Sequence, residues 1–128
     1  MRYTLLLHYP EPTADEIGPE ALAEGMRAFQ AYAKALDDAG VLGSAEVLQQ
    51  SEATTTVTLA GGELIVQDGP FADTKEQLGG TFVIDVPDLD AAIAWAAKAP
   101  SVSWGPIEIR PTATRYVNGV WQGTQPVA

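Results

Sequence analysis

The chain has 128 residues, seven of them basic against seventeen acidic, for a formal net charge of −10, and it contains no cysteine. That length supports one compact core and not two ordinary domains. The acidic balance disfavours nucleic acid and anionic membranes as partners, and the missing cysteine excludes disulfides, thiolate nucleophiles and cysteine-bound metals. No run reaches about 18 consecutive apolar residues and no secretory leader pattern opens the chain, so a soluble, cytoplasmic protein is expected.

Taken in order, Arg2 to Tyr9 reads as a strand buried on both sides, because both alternating sets are mostly apolar. Pro10 to Gly18 carries two prolines and reads as an exposed loop. Pro19 suits the first position of a helix, whose apolar stripe is Leu22, Met26, Phe29, Ala33 and Leu36 and which Gly40 ends. Met26 and Phe29 fall on that stripe and are assigned to the core. Val41 to Gln50, Thr54 to Ala60 and Glu63 to Gln67 follow as strands, the last two joined by a Gly61-Gly62 hairpin signal. Thr81 to Val86 is a further strand. Asp88 then caps a helix from Leu89 to Lys98 whose buried side is expected at Leu89, Ile93 and Ala96 or Ala97. Ile107 to Pro111 is the last strand of the main body, and Asn118-Gly119 marks a tight hairpin in the remaining tail.

The densest stretch of special residues is Asp68-Gly69-Pro70-Phe71-Ala72-Asp73-Thr74-Lys75-Glu76-Gln77-Leu78-Gly79-Gly80. Asp68 suits a turn that accepts backbone N–H groups, Gly69 and Pro70 stiffen it, and Phe71 is expected to pin it to the body of the protein. Gly79 and Gly80 are expected to turn the chain into the next strand.

Together with Pro87-Asp88-Leu89-Asp90-Ala91-Ala92 and Glu108-Ile109-Arg110-Pro111, this stretch resembles the DGPF branch of the YCII-related proteins over residues 1–111. The resemblance implies an α+β, ferredoxin-like split βαβ domain with an antiparallel sheet that pairs as a dimeric α/β barrel, and it assigns no reaction. Residues 112–128 form a C-terminal extension outside the pattern. Asp73 stands where the family usually shows Glu, and the histidine that YCII-type relatives carry on the first helix has no counterpart here.

In the implied topology the first strand lies between the strand after the motif and the last strand, antiparallel to both. His8 then falls near the motif loop, and Thr4 near Asp85 and Arg110. His8 and Asp68 are the catalytic candidates, because a histidine exchanges protons near neutral pH and a neighbouring carboxylate orients it. Lys75, Glu76, Thr81 and Arg110 are candidates for substrate binding, and Asp85 with Arg110 is expected as a structural ion pair. The competing reading makes Asp68 a turn residue and His8 a core histidine. No cofactor is implied, and a lone histidine lacks metal-ligand spacing.

Three roles follow. One is a proton-transfer enzyme, a lyase or isomerase, acting on a small carboxylated or enolisable molecule in a dimer cleft. Another is a non-catalytic ligand-binding or regulatory accessory protein, since relatives are often associated with alternative sigma factors. In the last, the motif only rigidifies the rim of a dimer.

Overall fold

A computed structural model describes residues 1–12 and 14–123. Eight strands and three α-helices follow in the order β1 (Arg2–Tyr9), α1 (Ala14–Ile17), α2 (Pro19–Asp38), β2 (Leu42–Val47), β3 (Thr55–Ala60), β4 (Glu63–Asp68), β5 (Gln77–Asp85), α3 (Leu89–Ala96), β6 (Ile107–Pro111), β7 (Thr114–Val117) and β8 (Val120–Gly123). Four strands form the main antiparallel sheet in the order β2-β5-β1-β6. This is the ferredoxin-like arrangement, with the β3–β4 ribbon inserted between β2 and β5 and the β7–β8 hairpin appended. No helix among the described residues is long and apolar enough to cross a membrane.

β1 is the central strand, and its burial alternates with the period of two that a pleated strand imposes. Tyr3, Leu5 and Leu7 are buried, while Thr4, Leu6 and His8 are half-exposed on the other face. The buried set packs with Phe82, Ile84 and Val86 beneath Tyr32 and Leu36 of α2 and Ala92 and Ala96 of α3. One face of the sheet therefore carries the helices, and the other, which we call the open face, has no helical cover.

The caps and turns follow the residues that specify them. Asp88 accepts a hydrogen bond from the Ala91 N–H at 2.9 Å, closing the first turn of α3. Gly61 and Gly62, and Asn118 and Gly119, all adopt positive φ. That is the two-residue hairpin geometry whose twist matches the strands it joins.

Other expectations are corrected by packing. Met26 is 58% exposed, Leu22 is also exposed, and the buried residues of α2 are Tyr32 and Leu36. The stripe thus meets the sheet only in its C-terminal half. On α3 the buried side is Ala92 and Ala96, with Leu89 and Ile93 outward, because alanines let the helix approach the sheet more closely than larger side chains. β5 begins at Gln77, so Gly79 and Gly80 lie inside a strand rather than ahead of it. The register slips between Leu7 and His8, which pair with Gly80 and Leu78, leaving Gly79 as the extra residue of a β-bulge. A side chain at Gly79 would collide with the ring of Tyr9. Residues 10–18, read as loop, include the short helix α1.

Gly105 is equally constrained: a Cβ there would collide with the backbone carbonyl oxygen of His8. Because the obstacle is backbone, Gly105→Ala is expected to cost about 2 kcal/mol or more and lower Tm by several degrees, measured by thermal unfolding. Tyr32 offers a second test. Its hydroxyl donates to the Trp95 carbonyl at 2.7 Å, and burial raises its phenol from 10.0 to about 12. The stability contributed by the buried neutral phenol is complete below pH 10.0 and is lost as pH rises through about 12, since the unfolded chain ionises first. Tyr32→Phe should flatten that alkaline fall in Tm while costing about 1 kcal/mol at neutral pH for the lost hydrogen bond.

Candidate functional site

The site grows from the end of β1. Beyond the bulge, the His8 N–H donates to the Pro106 carbonyl at 3.0 Å, and its own carbonyl lies against Gly105. On the helix side of the sheet, Tyr9 stacks near Phe29 and edge-on to Trp104, with ring centroids 6.5 and 5.9 Å away. These contacts fix the backbone of His8 from both flanks.

On the open face, His8 Nε2 lies 2.7 Å from Glu108 Oε1. A carboxylate only accepts, so in this pair Nε2 carries the proton and Nδ1 is the nitrogen available to accept one from a ligand. The imidazole is 24% exposed and the carboxylate 56%. An ion pair this exposed adds little stability, under about 1 kcal/mol, so what it contributes is orientation. Glu108 sits opposite Leu6 in the β1–β6 ladder and reaches His8 diagonally.

Arg110 is on the same face, one pleat along β6 from Glu108, opposite Thr4. It is exposed, and the ion pairs among the described residues do not include it. The expected Asp85–Arg110 pair does not form: Asp85 is opposite Arg2 and pairs at 3.3 Å with the amino-terminal ammonium group of Met1. Thr81 is half-buried on the open face between Leu6 and Glu46. His8, Glu108, Arg110, Thr4 and Thr81 thus share one surface.

The motif loop is built differently from expectation. Asp68 ends β4 opposite Thr55, is exposed, and is not the carboxylate that meets His8. The loop is held instead by Gln77, whose Nε2 donates to the carbonyls of Ala72 and Thr74 at 3.0 Å each, and by Thr74 Oγ1, which donates to the Glu76 carbonyl at 2.6 Å. Thr56 Oγ1 donates to the Gly69 carbonyl at 2.7 Å at the loop's start. Phe71 pins nothing, being 88% exposed. Lys75 is exposed and Glu76 half-buried on the same loop, with no ion pair between them. The motif meets the His8 strand through its end alone, where Gln77, Leu78 and Gly80 pair with Tyr9, His8 and Leu7 and Gly79 lies against the Tyr9 ring.

Next to His8, the following loop is tied down by Glu11, whose carboxylate accepts from the Ser51 N–H at 2.8 and 3.1 Å and from the Ser51 hydroxyl. Burial, and secondly the Glu11 charge, raise the Tyr9 phenol above its ordinary value. A surface groove of about 380 Å³ runs along the first turns of α2, lined by Pro19, Glu20, Ala23, Glu24 and Arg27. No candidate residue lines it.

Glu108 is the residue that reading the sequence overlooked. The topology that puts Arg110 beside Thr4 also puts Glu108 beside Leu6, two residues from His8, so the signal lay in the register of the last strand.

Comparison with known proteins identifies the family. The family model of the YCII-related domain matches residues 1–114. An uncharacterised protein of Rhizobium meliloti (strain 1021) is 36% identical over 115 residues, covering 88% of this chain and 93% of that protein. With the match spanning the whole main sheet, the chain belongs to the YCII-related family.

Proposed function

We propose that this protein binds a small carboxylated or enolisable metabolite on the open face of its main sheet and moves a proton on it, as a lyase or isomerase would. The observation that carries the reading is the 2.7 Å bond between His8 Nε2 and Glu108 Oε1. It holds an imidazole in one tautomer on the sheet face that also carries Arg110, a guanidinium with no carboxylate of its own chain in ion-pair range among the described residues. In this reading Arg110 holds the ligand's carboxylate through paired N–H donors, Thr81 adds a hydroxyl, and His8 Nδ1 takes the proton while Glu108 stabilises the imidazolium that results. Glu108 has the orienting role expected of Asp68. Lys75 and Glu76 stand on the motif loop, available to the rim of the site.

A half-exposed sheet face is a floor without walls, whereas ligand sites bury most of the ligand. A second copy of the chain supplies the missing wall in this proposal, giving a homodimer with a cleft over each His8. A regulatory, non-catalytic accessory role is the second reading, favoured by the uncovered apolar residues at Phe71 and along β3 and β4.

A thermal-shift screen against carboxylates, lactones and enols tests the site. A ligand at about a hundred times its Kd adds roughly 2.7 kcal/mol, a rise of several degrees. Arg110→Gln is expected to abolish the shifts from carboxylate ligands, and a hit unaffected by Arg110→Gln, His8→Ala and Glu108→Gln would place the binding site elsewhere. Chemistry is tested separately by solvent deuterium exchange into a bound hit, followed by NMR. His8→Ala should lose about 10²- to 10⁴-fold in exchange rate with binding retained, and Glu108→Gln should fall between that variant and the wild type. Binding without exchange in the wild-type protein would favour the accessory reading.

A further inference from the structure

A second guanidinium stands on the open face. Arg2 precedes buried Tyr3 on β1 and is itself half-buried. A guanidinium keeps its proton at any physiological pH, so partial burial costs free energy unless an acceptor lies against it. The side-chain hydrogen bonds and ion pairs among the described residues give the Arg2 guanidinium none. Asp85, which faces Arg2 in the β1–β5 ladder, turns instead to the Met1 ammonium group.

The position of this group is set by a glycine. The β2 register slips between Leu42 and Ser44, which pair with Ile84 and Val83, so Gly43 is the extra residue of a bulge. A Cβ at Gly43 would stand 3.1 and 3.2 Å from the two terminal nitrogens of Arg2 and 3.0 Å from the Val83 carbonyl oxygen. Arg2 therefore reaches across β5 and rests on β2 where that strand has no side chain. The ladders place Arg110 at the opposite edge. Ser44, Val83, Thr4 and Arg110 form one row across β2, β5, β1 and β6, with the Arg2 guanidinium over its β2 end and Arg110 rooted at its β6 end. At about 4.8 Å between neighbouring strands, the row is roughly 14 Å long. A bidentate carboxylate takes up about 3 Å at each guanidinium, and a short carbon chain fits between.

We propose that Arg2 and Arg110 are two anion subsites of one site, and that its ligand is a short diacid lying across β5 and β1 with a carboxylate on each. The proposal rests on the reading of Arg110 given above and supplies the ligand's second charged group. One planar fork with the Ser44 hydroxyl beside it suits the two oxygens of a carboxylate better than the three of a phosphate. The ends are not equivalent. Arg110 is one pleat from Glu108, so the Arg110 end carries the carbon whose proton moves, and Arg2 holds the far end.

The test is calorimetric titration of the full chain with succinate, glutarate and adipate, each against the monoacid that has a methyl group in place of one carboxylate. The best-fitting diacid is expected to bind about 10- to 100-fold more tightly than its monoacid, the worth of one charge-assisted contact. Arg2→Gln should remove that advantage and leave the monoacid affinity unchanged. Gly43→Ala keeps the charge but displaces the guanidinium, and it should also shrink the advantage; it serves as the test if Arg2→Gln fails to fold. Arg110→Gln should abolish binding of both acids. No advantage for any diacid, or an Arg2→Gln variant that weakens both acids alike, overturns the second subsite and leaves the Arg110 site standing. Binding of neither acid, or binding that survives Arg110→Gln, overturns both readings. If Arg2→Gln splits a wild-type dimer in sedimentation velocity while the diacid advantage persists, the guanidinium belongs to a contact with a second copy and the proposal falls.

Discussion

The register of β1 governs the rest of the molecule. Tyr3, Leu5 and Leu7 must lie under α2 and α3 together with Phe82 and Ile84, and a slip of one residue would turn all of them to the open face. Once that set is buried, Thr4, Leu6 and His8 have no choice of side, and the antiparallel partners bring Glu108 and Arg110 of β6 onto the same surface. The site is in this sense a by-product of core packing. Its components come from strands a hundred residues apart in sequence, and the hydrophobic effect that aligns the strands also aligns the imidazole with its carboxylate.

The bulge at Gly79 and the close approach of Gly105 refine that alignment. Both glycines stand where neighbouring atoms, the Tyr9 ring and the His8 carbonyl, occupy the space of a side chain. The irregularity therefore falls at the end of β1 that presents His8, where a bulge re-aims a side chain without disturbing the core. The aromatic cluster of Tyr9, Phe29, Phe82 and Trp104 on the other side of the sheet gives that end of the strand a rigid backing. The His8–Glu108 pair has this backing, whereas Lys34 with Asp38 is an exposed pair one helical turn apart.

A second theme is apolar surface that the chain does not cover. Leu22 and Met26 on α2, Leu89 and Ile93 on α3, the ribbon residues, Phe71, and the Tyr116–Trp121 pair of the terminal hairpin are all substantially exposed, the last with ring centroids 5.3 Å apart. Scattered apolar residues on a surface need no explanation, whereas Val57, Leu59, Leu64 and Val66 stand together on one side of the β3–β4 ribbon. Helix α3 shows how the balance is struck. Its small alanines meet the sheet, and the larger residues that periodicity assigns to a core are turned outward.

The amino-acid sequence by itself determined the elements and their punctuation. The strand at Arg2–Tyr9, the stop at Gly40, the cap at Asp88, and the turns at Gly61-Gly62 and Asn118-Gly119 are dictated by local backbone sterics and short-range hydrogen bonds, which act between residues a few positions apart, whereas the reading of that strand as buried on both sides is corrected by the half-exposed Thr4, Leu6 and His8. The order of those elements was enough to name the ferredoxin-like sheet. Tertiary structure decided which apolar faces are covered and which carboxylate reaches the histidine. Phe71 and Met26 carry the same hydrophobicity wherever they sit, and only the shape of the folded body leaves them in water. Asp68 and Glu108 are equally plausible partners for His8 on chemistry alone. The choice between them is made by the β1–β6 ladder, a through-space register that no local pattern in the chain encodes.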